Sequence, residues 1–308
     1  MFVLVEVEKQ RVVEMKKGKP MRYKLWLVLF LLSATQAEAG LRQYSATLDQ
    51  STWSLQQNSP LLCELNHPIP HFGEAFFRSV AGKELNMQFE LNMLRLPDHY
   101  ALAEVLSVPP VWRPGEQAKA ISSMKMLKQF DGDLGKAESW IMLTELEQGY
   151  SPTFYFSDWY SSYDKVSVSL NPVHFIEAMD QFTQCVSALL PYTFDDIAFT
   201  VLTYESGGDE LTKASKKRLE QIAQYLKHDQ SIESIDIQAY SDSFGGRWMN
   251  EQLSIKRAEA IKTKLVSFGL EETRIRTEGL GEKRHVASNE SSLGRAKNRR
   301  VVIQMEKP

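Results

Sequence analysis

Apolar residues follow the clearest strand and helix patterns in the last third of the chain. From Glu233 to Ala239, apolar residues alternate with polar neighbours, which predicts a half-buried strand. After Gly245-Gly246, apolar side chains recur every three to five residues from about Arg247, which predicts a helix with one apolar side. Gly269 is a typical stop signal for that helix. The predicted strand therefore leads into the predicted helix through Ser241-Asp242.

The same patterns predict the neighbouring elements. The segment Ile197 to Tyr204 alternates as a strand with Ile197, Phe199 and Val201 on one side, and Leu211 to Leu226 has helical spacing. Two further strands are predicted, at Arg274 to Glu278 and Arg299 to Met305. We expect residues 191–308 to form one domain, an α/β sandwich with helices packed on one face of a mixed sheet.

Residues 40–190 are predicted to form a separate, β-rich domain. Leu85 to Met93 and Val166 to Leu170 alternate as strands, while helical patterns are limited to Glu116 to Phe130 and Val173 to Leu190. The predicted fold class is therefore α+β with two domains. Large aromatic residues lie more often in a core than at a contact surface. We therefore expect the tryptophans of this region to lie in the core: Trp53, Trp112, Trp140 and Trp159.

The N-terminal segment predicts secretion. After Met21, two basic residues precede an apolar run at residues 25–32, and Ala37-Glu38-Ala39 has the small residues of a signal-peptidase site. Residues 21–39 are thus predicted to be a signal peptide, and residues 1–20 an upstream extension if translation begins at Met21. The apolar run is short for a membrane span, although an uncleaved anchor stays open as an alternative. A periplasmic protein without a membrane span in its mature chain is expected.

Composition predicts the redox state of the cysteines and argues against one class of partner. The 308 residues carry a formal net charge of -3, and no motif accompanies the basic run Lys213 to Arg218, so nucleic-acid binding is not expected. The two cysteines, Cys63 and Cys185, can pair in an oxidising periplasm. Such a bridge would stabilise the fold by roughly 5 kcal/mol in the chain-entropy model. Two buried free thiols are the alternative.

Several separated motifs recur in the C-terminal region in a fixed order. They are Ser241-Asp242, Asn250, Leu253-Ser254, Arg257-Ala258, Gly279, Gly281 and the segment Gly294 to Arg300. In this order and spacing the region resembles the OmpA-like peptidoglycan-binding domain. The resemblance implies a binding module for the cell wall that needs no cofactor or metal and carries no catalytic residue.

The resemblance also implies roles for individual residues. Meso-diaminopimelate in peptidoglycan carries an ammonium and a carboxylate on one carbon; in the family an aspartate binds the first and an arginine the second. These roles fall on Asp242 and Arg257, and the fork of a guanidinium suits a carboxylate. Residues implied to complete the site are Asn250, Arg299, Ser241 and Arg300. The alternative is an internal salt bridge between Asp242 and Arg257.

Two positions depart from the family pattern. Tyr240 occupies a place where histidine is frequent, and Phe244 is bulkier than the small polar residues usual in that loop. The charged pair remains, so the departures affect the expected access to the site more than its chemistry.

A second resemblance covers almost the whole chain. The segments Tyr44 to Asp49 and Ser51 to Trp53, together with the signal peptide, two cysteines and the OmpA-like domain, resemble the T-ring proteins of sodium-driven polar flagellar motors. That family implies partners: MotX, the flagellar basal body and the stator complex, with the C-terminal domain bound to peptidoglycan.

Two rival functions stay open. One is a general tether for envelope integrity. The other is a peptidoglycan-processing enzyme that uses Glu145 and Glu147, or His67 and His71, as acid/base or metal-binding residues. The two histidines are four residues apart, but the prolines between them stiffen the segment, so it lacks the helical i,i+4 geometry that would present both imidazoles on one face.

Overall fold

The computed structural model describes residues 40–161, 164–205 and 210–308. The predicted upstream extension and signal peptide, residues 1–39, lie outside the described residues. Within the described ranges, no helix combines the length and the apolar character that crossing a membrane requires.

Two five-stranded sheets form the N-terminal region. The first has the order β1-β10-β9-β6-β7 and the second the order β2-β3-β4-β5-β8. The strands are β1 (Leu41–Ser45), β2 (Ser54–Asn58), β3 (Leu62–Ile69), β4 (Gly73–Val80), β5 (Gln88–Met93), β6 (Ala101–Val108), β7 (Lys119–Met126), β8 (Gly132–Leu134), β9 (Ser151–Ser157) and β10 (Lys165–Ser169). Helices α1 (Lys136–Glu147) and α2 (Phe175–Ser187) accompany them.

Aromatic side chains from both sheets meet in one apolar core. Phe89 of β5 stacks on Phe154 of β9 with ring centroids 5.3 Å apart, and both are fully buried. A disulfide joins Cys63 of β3 to Cys185 of α2, so the pairing expected from the sequence is present. The bridge fixes α2 against the second sheet and closes a loop of 122 residues.

The predicted helix at Glu116 to Phe130 is wrong. Lys119–Met126 is strand β7, antiparallel to β6. Met124 and Met126 are buried while Ser123 and Lys125 are exposed, so the period at the end of this segment is two. Trp112, on the loop before β7, is 67% exposed and does not lie in the core.

A four-stranded sheet with helices forms the C-terminal region. Its order is β11-β14-β12-β13, with β12 parallel to β13 and β14 antiparallel to both of its neighbours. The strands are β11 (Phe199–Thr203), β12 (Ser234–Ala239), β13 (Ile275–Gly279) and β14 (Arg300–Glu306). The α-helices are α3 (Phe194–Ala198), α4 (Lys213–Leu226), α5 (Arg247–Ser267) and α6 (Ser292–Asn298). Apolar residues of α4 and α5 share one core with the strands.

The predicted strand at Ile197 to Tyr204 begins later and faces the other way. Ile197 belongs to α3, whose N-terminus is closed by a capping box at Thr193. In β11, Phe199 is 63% and Val201 46% exposed, whereas Thr200 and Leu202 are buried. Thr200 tolerates burial because its hydroxyl donates to the Ile197 carbonyl at 2.8 Å. Alternation alone does not show which side of a strand faces the core, and a shift of one residue moves every side chain to the opposite face.

The two regions contact each other near the β4–β5 turn. The side chains of Ala81 and Leu190 pack in the C-terminal core. Within the N-terminal region, the Gly82 backbone N–H donates to the Leu190 carbonyl at 2.9 Å and fixes this turn beside Leu190. Lys83 forms an ion pair with Asp196 of α3.

Candidate functional site

The end of β12 is held in place by two neighbouring segments. The Tyr240 backbone N–H donates to the Arg300 carbonyl at 2.9 Å, and the Ser241 N–H donates to the Gly281 carbonyl at 2.8 Å. These bonds fix the point at which the chain leaves the sheet. Asp242 follows immediately, so its carboxylate has a defined position.

Asp242 is engaged by two donors. Its Oδ1 accepts the Phe244 backbone N–H at 3.1 Å, and its Oδ2 accepts from Arg299 Nη1 at 2.8 Å. The side chains of Asp242 and Arg299 are 13% and 12% exposed. A carboxylate has about four lone-pair sites, so these two bonds leave capacity for a ligand cation.

The ion pair at Asp242 is therefore made by Arg299, and the alternative of a direct bridge to Arg257 is wrong. The guanidinium of Arg257 lies 4.2 Å from the centroid of the Tyr204 ring, in the arrangement of a cation–π contact. Both side chains are buried. The aromatic ring thus contacts the arginine on the buried face of α5.

One face of α5 carries three buried polar residues. Asn250, Ser254 and Arg257 are four and three residues apart, a spacing that aligns them along a helix. Ser254 Oγ accepts the Gly281 N–H at 2.9 Å. The Asn250 amide lies 3.5 Å from a carboxylate oxygen of Glu282. This face therefore meets the loop after β13 and, through Gly281, the Ser241 end of β12.

Close approach of α5 to β13 explains the glycines of the motif. A Cβ on Gly279 would lie 2.4 Å from the Ile255 side chain, which is too close for any larger residue at this position. Gly281 has φ +56°, a left-handed conformation that glycine adopts without strain. These two positions set the distance between the helix face and the loop.

Arg300 and Tyr240 form a second cation–π pair. The guanidinium lies 3.8 Å from the ring centroid, and its Nη2 donates to the Arg284 carbonyl at 3.0 Å. Burial lowers the pKa of Arg300, and the neighbouring tyrosine opposes the shift. Tyrosine at position 240 therefore provides the aromatic face that covers this buried cation.

Asn298 organises the loop that leads into α6, a role that the sequence interpretation missed. Its Oδ1 accepts the backbone N–H groups of Val286 and Ala287 at 2.9 and 3.1 Å. Its Nδ2 donates to the Ala287 carbonyl and to Asn289. Glu282, beside Asn250, was also missed, although it directly follows the Gly279 to Gly281 motif that pointed to this loop.

Three of the predicted site residues contain a buried polar atom without a hydrogen-bond partner in the described part of the chain. These atoms are Ser241 Oγ, Arg299 Nε and Arg300 Nη1. An unsatisfied buried donor costs roughly 1–3 kcal/mol, so such atoms usually gain a ligand or a water molecule. Arg299 is the ion-pair partner of Asp242, and Ser241 precedes Asp242 directly in the chain.

The residues of the enzyme alternative are spread over different structural roles. His67 is fully buried; its Nδ1 donates to the Thr52 carbonyl at 2.9 Å, and its Nε2 accepts the Asn171 N–H at 3.3 Å. Burial lowers the pKa of His67 to about 4. Glu145 accepts a hydrogen bond from Ser107 at 2.5 Å, while His71 and Glu147 are exposed. In the described ranges, no cluster of three metal-ligating residues occurs.

Comparison with known proteins assigns both regions. Residues 44–191 match the MotY N-terminal domain, and residues 203–299 match the OmpA family. The chain is 45% identical over 285 residues to the sodium-type flagellar protein MotY of Vibrio parahaemolyticus, an alignment that covers 91% of this chain and 97% of that protein. The chain belongs to the MotY family. The fold class expected from the sequence, a β-rich region followed by an OmpA-like domain, is confirmed.

Other relatives share the C-terminal region. The probable lipoprotein YiaD of Escherichia coli is 36% identical over 104 residues, which cover 34% of this chain and 47% of that protein. The peptidoglycan-binding protein ArfA of Mycobacterium tuberculosis is 35% identical over 102 residues, which cover 33% of this chain and 31% of that protein. These matches cover only the C-terminal third of the chain, whereas the match to the MotY N-terminal domain and to a flagellar MotY ties the chain to flagellar proteins.

Proposed function

We propose that this protein is a non-enzymatic structural component of the flagellar motor, located in the T ring of a sodium-driven polar flagellum, where it anchors the ring and stator units to peptidoglycan. Membership of the MotY family supports the motor assignment, and the OmpA-family region supports association with the cell envelope. The proposed location is the T ring in the periplasm. The proposed partners are MotX, the flagellar basal body and the stator complex.

The observation that carries the wall-binding part is the environment of Asp242. Its carboxylate pairs with Arg299, whose Nε is a buried donor without a partner among the described residues, at the end of the strand that the Asn250 face of α5 approaches. A diaminopimelate ammonium would add to the Asp242 carboxylate, and the ligand carboxylate would bind Arg257 with support from Arg299. An amide at Asn250 would complete the contacts.

Mechanics favours an anchor with modest affinity at each site. A stator delivers torque only if it does not rotate, so its surroundings need a connection to a rigid network. Many copies in a ring would raise the effective concentration of each site and convert weak single contacts into high avidity. The proposal therefore needs a specific site more than a tight one.

Sedimentation with purified sacculi tests the wall site. We expect Asp242→Ala/Arg257→Ala to lose most binding, with Asp242→Asn as a milder variant that keeps the shape of the side chain. Asp236→Ala/Arg276→Ala is a matched control, because these residues are cross-strand neighbours on β12 and β13, outside the proposed site. Thermal unfolding shows that each variant is folded. Undiminished sedimentation of folded Asp242 variants would contradict diaminopimelate recognition.

Motility tests the motor assignment separately. A fluorescently tagged copy in a polar-flagellated host that lacks its own gene should form polar foci and restore swimming, and the Asp242/Arg257 double variant should do so less well. Loss of the foci in a strain without MotX would support that partner. A diffuse envelope signal without any effect on swimming would leave a general wall tether. Lysis of sacculi in a zymogram would instead favour an enzyme.

A further inference from the structure

A cleft of about 350 Å³ opens on the N-terminal region, and none of its lining residues belongs to the proposed wall site. It lies where β1 and the end of β9 meet the turn between β3 and β4 and the segment after β5. The residues that matter for its chemistry are Tyr44, Phe72, Phe156, Trp159, Tyr160 and Arg95.

The aromatic rings form one continuous series. Ring centroids are separated by 5.3 Å between Tyr44 and Phe72 and by 6.4 Å between Phe72 and Phe156. Phe156 stacks on Trp159 at 5.2 Å, and Trp159 meets Tyr160 edge to face at 6.1 Å. Phe72 and Phe156 are buried, whereas Tyr160 is 59% exposed. The cleft thus has a buried aromatic floor and an exposed aromatic rim, which suits a large apolar side chain.

The two arginines that line the cleft differ in their ion pairing. Arg42 pairs with Asp158 at 2.8 Å and with Asp164 at 3.4 Å, so its positive charge is balanced within the protein. Arg95 lies 5.6 Å from the centroid of the Tyr160 ring and forms no ion pair with any residue that the structure describes. An exposed arginine held over a rim tyrosine can bind a carboxylate of a ligand.

The cleft also adjoins the edge of a sheet. Strand β1 pairs with β10 on one side, and among residues 40–161, 164–205 and 210–308 no strand pairs with its other side. Arg42 and Tyr44 alternate along β1 and both line the cleft. A peptide added to this edge would present every second side chain toward the same cleft.

We infer that the cleft binds an extended peptide segment of another protein, which pairs with the edge of β1 that no described strand covers, inserts an aromatic side chain among Tyr44, Phe156 and Trp159, and sets a carboxylate two residues further along against Arg95. The positive charge of Arg95 selects an acidic segment, and the aromatic series selects a large apolar anchor. The inference does not depend on wall binding.

Titration of a designed peptide tests this site. The probe is acetyl-Thr-Phe-Thr-Glu-Thr-amide, whose phenylalanine and glutamate lie two residues apart and so face the same side of a strand. It is added to the purified protein with nitrogen-15-labelled tryptophan, and the indole signal of Trp159 is assigned through Trp159→Phe. We expect a saturable shift of that signal. Peptides with alanine for phenylalanine, or lysine for glutamate, should bind at least about tenfold more weakly.

A charge reversal on the protein sharpens the test. Arg95→Glu should weaken binding of the glutamate peptide by about tenfold or more. This variant should bind the lysine peptide more tightly than the glutamate peptide. Arg113→Glu is the matched control: Arg113 also lies over a tyrosine ring, 5.1 Å from the centroid of Tyr150, but outside the cleft. Both variants should sediment with sacculi like the unmodified protein, which separates this site from the proposed wall function.

Three results would overturn the inference. The first is no saturable shift of the Trp159 signal with millimolar glutamate peptide. The second is equal binding of the glutamate and lysine peptides. The third is equal binding of 3-phenylpropanoate, or of a peptide with N-methylated alternate amides, since either would remove the need for strand pairing.

Discussion

The N-terminal and C-terminal regions keep their folds in different ways. The N-terminal region is a stack of two sheets whose large aromatic side chains fill one core, with a disulfide across it. The C-terminal region brings backbone segments unusually close at Gly279 and Gly294 and holds its loops with the side chains of Ser254 and Asn298. In the first region apolar packing and a covalent bridge hold the fold; in the second, buried polar side chains hold the loops around the proposed site.

Removal of the disulfide should have the largest effect and should be confined to the N-terminal region. Because the bridge closes a loop of 122 residues, Cys63→Ser/Cys185→Ser should lower the free energy of unfolding of that region by about 5 kcal/mol. Denaturant unfolding followed by tryptophan fluorescence measures the loss, with reductant on the unmodified protein as an independent control. Sacculus binding at low temperature should survive. Parallel loss of both regions would show that their stabilities are not separate.

Acid should destabilise the N-terminal region through His67. Burial holds the folded pKa of His67 at about 4, below its ordinary 6.5, so the unfolded chain binds the proton more strongly. The free energy of unfolding should therefore fall as pH drops from 6.5 to 4, by up to about 3 kcal/mol, and this contribution should change no further below pH 4.

Comparison of two histidine variants isolates this contribution. His67→Gln should lose that part of the pH dependence, whereas His228→Gln, at an exposed position in the C-terminal region, should keep it. Urea unfolding at several pH values provides the measurement. An unchanged slope in His67→Gln would assign the acid sensitivity to other groups.

The sequence predicted the C-terminal elements better than the N-terminal ones. Strand β12, helix α5 and the stop at Gly269 follow from local patterns and match the structure. The partner of Asp242 could not be read from such patterns. Arg299 is 57 residues away along the chain, and only the packing of β14 beside β12 brings it to the carboxylate.

The two wrong elements have a common physical cause. At β7 and β11, short apolar runs contain threonine, serine or methionine, which are compatible with either a helix or a strand and with either face. The outcome depends on neighbours: β6 pairs with β7, and a hydrogen bond to Ile197 allows Thr200 to be buried. Such tertiary contacts cannot be predicted from local periodicity.

A methyl group at Gly294 should damage the C-terminal region selectively. Its Cβ would lie 1.9 Å from the Ser288 carbonyl oxygen, so the loop or α6 must move. Gly294→Ala should lower the free energy of unfolding of this region by about 2 kcal/mol and weaken sacculus binding, because α6 leads directly to Arg299. Gly246→Ala is the control, since no atom lies within 4 Å of its Cβ and its φ is -80°. Similar losses in both variants would contradict the steric explanation.

The smallest expected effect concerns the contact between the two regions. Hydrogen bonding from Lys83 is the largest cause that lowers the pKa of Asp196 to about 2, and the Thr193 backbone N–H adds to it. In Lys83→Ala that pKa should rise toward 3.8 without reaching it, since the capping box at Thr193 remains.

Carbon-13 NMR titration of the Asp196 carboxyl group measures the change. Lys213→Ala is the control. Lys213 lies on α4, whereas Asp196 lies on α3, so this variant should leave the Asp196 titration unchanged. An unaltered Asp196 pKa in Lys83→Ala would mean that the ion pair does not persist in solution. The packing of Ala81 and Leu190 in the C-terminal core would then join the two regions without it.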